Sequence, residues 1–202
     1  MTSETLSTTT QACELTCPRY ALVVRLPRQA EVHIEDMYLR LPGVTRPTMG
    51  YHITLLGSFL LGEGAELGAF DPVRAVCASW PPFTVHVAGL GVFGDGGANT
   101  VYLGVVECDR MAALHRALLQ ALEGRITFPS EQYRLWNTTA YQPHVTLSLS
   151  LSDRALSDLL EAGQRRMQPE VVRVQSVWLV AQSPASSWQY LAEYPLGELN
   201  GK

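Results

Sequence analysis

No stretch of this 202-residue chain approaches the ~18–20 consecutive apolar residues of a membrane span, so no transmembrane helix is expected. Residues 1–10 are rich in Ser and Thr and hold no apolar segment of the secretory kind, so they read as a tail rather than a signal peptide. Residues 1–18 read as a disordered tail, followed by a single domain over 19–202. Cysteine is scarce: Cys13, Cys17, Cys77 and Cys108. They form no C-x-x-C pair and no Cys/His cluster at zinc-ligand spacing, so the reading is unpaired thiols in a reducing cytoplasm, with no metal and no cofactor. A basic excess is also lacking. The net charge is −4 and the pI about 5.7, which argues against a broad footprint on duplex DNA or long RNA. A small nucleotide, or an RNA end gripped by a local basic patch, stays open. Hydrophobic residues make up 47% and charged residues 17%, enough for one sizeable soluble core.

What the chain does contain is one pattern written twice. His52-Ile53-Thr54-Leu55 and His144-Val145-Thr146-Leu147 lie 92 residues apart. With five His and 15 Thr, chance supplies about 0.4 copies of His-x-Thr, so one copy carries nothing and two similar copies carry something. Each copy has an apolar residue at x, Leu after Thr, and a strand-like setting. Side chains at i and i+2 of a strand share a face, so each His looks the same way as its Thr. Two imidazoles and two hydroxyls around one cleft suit phosphate ester chemistry. One ring takes a proton, the other gives one, and the hydroxyls hold phosphoryl oxygens. Two buried strand histidines are the plain alternative.

Periodicity predicts strands over 20–26, 51–56, 83–93, 100–107, 145–149, 171–181 and 188–194. Helices are expected over 32–41, from a capping Asp71 to about residue 80, over 110–123 behind a capping Asp109, and from Ser152 or Asp153 to about 167. Residues 94–97 read as a hairpin turn, and 125–142 as irregular. Strand, helix, strand, turn and strand follow each motif in the same order, and Tyr102-Leu103-Gly104 is echoed by Tyr190-Leu191-Ala192. This reads as a diverged duplication whose halves dock about an approximate two-fold. The fold class is α+β: two pseudo-symmetric lobes of antiparallel sheet plus helices, with a central groove.

Further site candidates rest on residue type and position. Tyr51, Trp136, Tyr141 and Trp188 carry aromatic faces that stack on bases. Tyr51 should point opposite to His52 and pack in the core; Tyr141 and Trp188 stay as substrate-binding candidates. Arg46, before the first motif, and Arg134, before the second, could supply positive charge to a phosphate, with a solvated surface role as the alternative. His33, His86 and His115 lack a Thr two residues on and read as structural.

The paired motifs, Pro143 before the second His, Leu26-Pro27 after the opening strand and the closing Tyr194-Pro195-Leu196-Gly197 resemble the two-histidine (2H) phosphoesterase superfamily. The likeness is to its bacterial 2′-5′ RNA ligase and cyclic phosphodiesterase branch, and it spans residues 19–197. It implies a bilobal α+β fold with no metal, His52 and His144 as the catalytic pair, and Thr54 and Thr146 binding phosphate. The expected reaction opens a 2′,3′-cyclic phosphate or cleaves a 2′-5′ linkage, with RNA ligation as the reverse chemistry. The near-symmetric pair leaves both assignments of acid and base open. The expected partner is a nucleotide or an RNA end, handled by a cytoplasmic monomer. Hydrolysis of a cyclic oligonucleotide signal and a non-catalytic nucleotide-binding module are the competing functions; an unrelated α+β domain would make the repeated motif coincidental.

Overall fold

The computed structural model describes residues 17–41, 43–62, 67–95, 98–164, 168–184 and 186–197. The expected tail falls outside them up to residue 16. So do Cys13, the centre of the 94–97 turn and the end of the last expected helix.

The chain runs β1 (Arg19–Arg25), α1 (Arg28–Tyr38), β2 (His52–Leu61), a 3-10 turn (Leu67–Phe70) and α2 (Asp71–Ser79). β3 (Phe83–Asp95), β4 (Ala98–Val105), α3 (Cys108–Ala121), β5 (Ile126–Thr127) and α4 (Glu131–Thr138) follow. It ends with β6 (His144–Leu151), α5 (Asp153–Gln164), β7 (Glu170–Val174), β8 (Ser176–Gln182) and β9 (Gln189–Pro195).

One antiparallel sheet orders these strands β7-β3-β4-β6-β2-β1-β8-β9, with β5 added beside β2. The β6/β2 seam divides this order into two sets of four strands. Two four-stranded halves therefore meet where the two motifs lie, as a bilobal α+β fold requires. The spatial repeat differs from the one expected from sequence order. β4 stands beside β6 as β1 stands beside β2, so Tyr102 on β4 and Tyr190 on the edge strand β9 are not equivalent positions.

The expected strand 171–181 is two strands on opposite halves. β7 pairs with β3, and β8 pairs with β1. The break has a physical signature. Val172 and Val174 are buried, then Val177 and Leu179, so the alternation slips by one residue at Gln175. The Gln175 carbonyl, freed from either ladder, accepts the Leu196 N–H at 2.8 Å.

Helix ends also shifted. α1 begins at Arg28 rather than 32, because Pro27 closes β1 and immediately serves as its N-cap residue. Asp71 and Asp109 sit inside their first turns and make no capping bond, whereas Ser152 Oγ accepts the Ala155 N–H at 3.4 Å at the start of α5. The segment expected to be irregular contains β5 and α4. α4 is capped by Ser130, whose hydroxyl accepts the Tyr133 N–H.

The helices cover one face of the sheet. Ile34 and Tyr38 of α1, Val73 and Cys77 of α2, Met111, Leu114 and Leu118 of α3 and Leu159 of α5 form a single core with Ile53, Leu55, Val145 and Leu147. Burying such side chains stabilises the fold by roughly 1.5–3 kcal/mol each. The opposite face carries a small apolar cluster of Ala21, Val23 and Val180, flanked by Met49, Trp178, Trp188 and Tyr190. The alternation of β2 and β6 sends Ile53 and Val145 into the core and leaves His52, Thr54, His144 and Thr146 on this less covered face.

Candidate active site

The seam is a minimal strand pair. Every other pair of neighbours along the eight-strand order matches over five or more residues, while β2 and β6 match at Ile53 opposite Val145. In an antiparallel pair the residue before one partner faces the residue after the other. His52 therefore lies across from Thr146, and Thr54 across from His144. Each imidazole has the other copy's hydroxyl as its cross-strand neighbour, and the two rings are close enough for charge on His144 to disfavour charge on His52.

The Leu of each motif has a shared local role. Along β1 the register steps from Thr54 to Leu56, and along β4 from Thr146 to Ser148. Leu55 and Leu147 are thus the bulged residues of their strands. Each motif ends in a bulge that buries two successive side chains, Leu55 with Leu56 and Leu147 with Ser148. The kink re-aims both strands beyond the Thr.

Both histidines are oriented by the same device. Nδ1 of His52 donates to the Gly50 carbonyl at 3.0 Å, and Nδ1 of His144 donates to the Gln142 carbonyl at 2.7 Å. A carbonyl only accepts, so Nδ1 carries the proton and Nε2 of the neutral ring is a lone pair directed away from it. Burial is the main cause holding both imidazoles below their ordinary pKa, against those carbonyl bonds; repulsion from His144 adds to the lowering at His52.

The supports of the two rings differ. Gly50 closes a turn by donating to the Pro47 carbonyl at 2.9 Å and has φ +75°; a Cβ there would collide with Glu31 Oε1. That buried carboxylate takes the Tyr51 N–H at 3.2 Å. On the other side Gln142 donates from Nε2 to the Tyr102 hydroxyl at 2.8 Å. Tyr102 stacks on Phe93 at 4.3 Å, and both rings pack on His144, at 5.2 and 5.0 Å. Tyr102 can lie flat because position 91 is glycine: a Cβ there would run into its ring.

The other sequence candidates are placed as follows. Arg46 and Trp188 line a cavity of about 470 Å³ beside Gly50, although Arg46 also pairs with Glu35 at 2.9 Å. Tyr141 is a brace: its hydroxyl donates to the Thr54 carbonyl at 3.1 Å and its ring lies flat on His115 at 3.8 Å. Arg134 sits on the solvent side of α4, paired with Glu131, and the exposed Trp136 packs edge-on against Tyr133. Neither is drawn to the motifs. Their place on a helix rather than in an irregular approach to β6 explains the difference.

Tyr51 is fully buried, as its strand position requires. His33 and His86 pair with Glu170 and Glu107. His115 is buried, its ring nitrogens set against the Leu55 carbonyl at 2.6 Å and the Asn137 carbonyl at 2.9 Å. Sequence reasoning missed Phe93, Gln142 and Arg25. Gln142 carried a legible signal, since residue i−2 to each His supplies the orienting carbonyl. Arg25 lies opposite His52 on β1, a relation set by pairing alone.

Among the described residues, no group of three or more His, Cys, Asp and Glu could hold a metal ion, and no helix is long and apolar enough to cross a membrane.

Comparison with known proteins agrees with this architecture. Similar solved structures include Escherichia coli LigT complexed with 3′-AMP, at 18% identity and TM-score 0.57 over 91% of this chain and 99% of that one. TT0787 of Thermus thermophilus gives 20% identity and 0.59 over 90% and 100%. Kluyveromyces marxianus Usb1 gives 12% and 0.52 over 91% and 99%. No curated protein matches the chain. The profile of the 2′-5′ RNA ligase superfamily matches residues 26–184, and that span contains both motifs, their bulges and the seam between them: the chain belongs to this superfamily of 2H phosphoesterases.

Proposed function

We propose that this protein is a phosphodiesterase working without a metal, which opens nucleotide or RNA 2′,3′-cyclic phosphates or cleaves 2′-5′ linkages. His52 and His144 are its acid–base pair. The observation that carries the reading is the cross-strand placement: each His faces the partner motif's Thr, with Nδ1 held by a carbonyl and Nε2 left for the substrate.

In ring opening, one neutral Nε2 takes a proton from water as the water oxygen bonds to phosphorus. The bond from phosphorus to one ribose oxygen breaks, and the protonated second ring delivers its proton to that oxygen. Both rings then hold the opposite protonation state and exchange with solvent. Thr54 and Thr146 donate to the non-bridging oxygens as charge builds there. For a 2′-5′ linkage the neighbouring ribose hydroxyl replaces water as the nucleophile. Ligation runs the same steps backwards, with a 5′-hydroxyl attacking the cyclic phosphate.

Arg46 and Trp188 contact substrate from the cavity beside Gly50. Escherichia coli LigT has been crystallised with 3′-AMP and with ATP, which supports a nucleotide in the corresponding groove here. The test is turnover, in EDTA, of 2′,3′-cyclic mononucleotides, 2′-5′ dinucleotides and RNA with a cyclic phosphate end, with products identified by mass. Turnover in EDTA that vanishes in His52→Ala and in His144→Ala is the expected result. Tight nucleotide binding without turnover would replace the enzyme reading with a binding module.

A further inference from the structure

We propose that the cavity beside His52 binds a phosphate beyond the scissile one, with Arg25 as its principal contact, so that the preferred substrate carries at least two phosphoryl groups. This rests on the phosphodiesterase reading and deepens it.

Arg25 is the last residue of β1 and lies opposite His52 in the antiparallel register, so its side chain leaves the sheet on the same face as the imidazole. It lines the 470 Å³ cavity with Arg46, Thr48, Met49, Trp188 and Tyr190. That volume is in the range of small-molecule sites and exceeds what one phosphate needs.

The charge balance around the cavity singles out Arg25. Glu31 also lines the cavity and Glu35 pairs with Arg46, so both of these carboxylates are engaged. Arg28 reaches Glu31 at 3.3 Å and Glu35 at 3.5 Å, and Arg46 reaches Glu35 at 2.9 Å. Three guanidinium groups thus stand against two carboxylates, and Arg25 supplies the surplus. Its charge rests 5.3 Å over the face of Tyr190. Tyr190 is itself fixed: its hydroxyl donates to the Met49 carbonyl at 2.9 Å, and Trp178 packs edge-on against its ring. A guanidinium laid on a pinned aromatic ring is preorganised, and its planar N–H fork matches phosphate oxygens.

The side chains packed on His144 are instead the aromatic rings of Phe93 and Tyr102. A bound strand therefore has a polarity: a base lies against Phe93, the scissile phosphate between the histidines, and the next phosphate against Arg25.

The test compares kcat/KM for three substrates: a 2′,3′-cyclic mononucleotide, the same compound with a 5′-phosphate, and a dinucleotide ending in the same cyclic phosphate. The wild-type protein is expected to favour at least one of the two anionic extensions by about ten-fold or more. A gain with the 5′-phosphate assigns the site to a terminal phosphate; a gain confined to the dinucleotide assigns it to a phosphodiester. Arg25→Gln should cost the favoured substrate about ten-fold and the plain mononucleotide less than about three-fold, with Arg25→Lys in between. Equal wild-type rates on all three substrates would overturn the proposal, and so would equal losses in Arg25→Gln.

If the wild-type protein turns over none of them, the phosphodiesterase reading fails and the cavity is judged by binding alone. A 5′-phosphorylated dinucleotide should then bind Arg25→Gln about ten-fold more weakly than wild type, and equal affinity would sink the site.

Discussion

The two motif strands are alike within themselves and unlike in what surrounds them. Both present His and Thr on the groove face, both bulge at the following Leu, and both orient Nδ1 with the carbonyl two residues earlier. Around His52, however, the neighbours are a glycine turn pinned by buried Glu31, two arginines and a cavity. Around His144 they are two packed aromatic rings and the Gln142 amide. Symmetric chemistry thus sits in an asymmetric frame. On the proposed reading, the shared part supplies two interchangeable proton carriers, and the divergent part sets which way a substrate lies between them.

The largest break in that comparison comes from removing either proton carrier. His52→Ala and His144→Ala should each lower kcat about 10²–10⁴-fold on a cyclic phosphate, measured under saturating substrate. A variant that keeps wild-type rate would show that only one half of the pair works in catalysis. Thr54→Val and Thr146→Val come next, at about 10²-fold in kcat each, since each removes one donor to the developing charge. Similar losses would extend the symmetry from the rings to the hydroxyls, and a one-sided loss would confine it to the rings.

Gly91→Ala probes the His144 side by itself. A methyl group must displace the Tyr102 ring, so stability in urea should fall by about 1–3 kcal/mol. Followed by NMR, the His144 pKa should rise toward its ordinary value as the aromatic cover shifts, while that of His52 stays in place. Equal movement of both would deny that the frames are independent.

The smallest effects concern pH. Both imidazoles are held below the ordinary value of about 6.5, chiefly by burial, so the bell in kcat/KM for the free protein should peak on the acid side of pH 6.5. For stability the sign follows from proton counting. A histidine whose folded pKa is depressed binds fewer protons folded than unfolded below pH 6.5. His52 and His144 therefore leave stability intact above that pH and erode it as the pH falls toward their folded values. Thermal melts from pH 8 to pH 5 read this directly. A melting temperature that rises on acidification would contradict it.

Much of this molecule was legible before folding. The repeated His-x-Thr-Leu marked the candidate site because its period-two spacing states a shared face without any tertiary information. The helical spacing of Met111, Leu114 and Leu118 did the same for α3. What escaped were relations that local spacing does not contain. The apolar run from Val171 to Ala181 looks like one strand, and only its partners reveal two, though the phase slip at Gln175 was visible in the residues. Tyr141 and Arg134 were plausible ligands by type and nearness in sequence, yet Tyr141 braces the Thr54 carbonyl and Arg134 faces Glu131 on α4.

The amino-acid order alone determined that the His and Thr of each motif share one face of their strand, because alternation along a strand is a property of the backbone and needs no partner. The tertiary structure decided that the two copies meet at one seam, that Arg25 stands beside His52, and that Phe93 and Tyr102 shield His144. Those neighbours come from strand pairing between residues far apart in the chain. A register of that kind is chosen by the whole buried core rather than by any short segment.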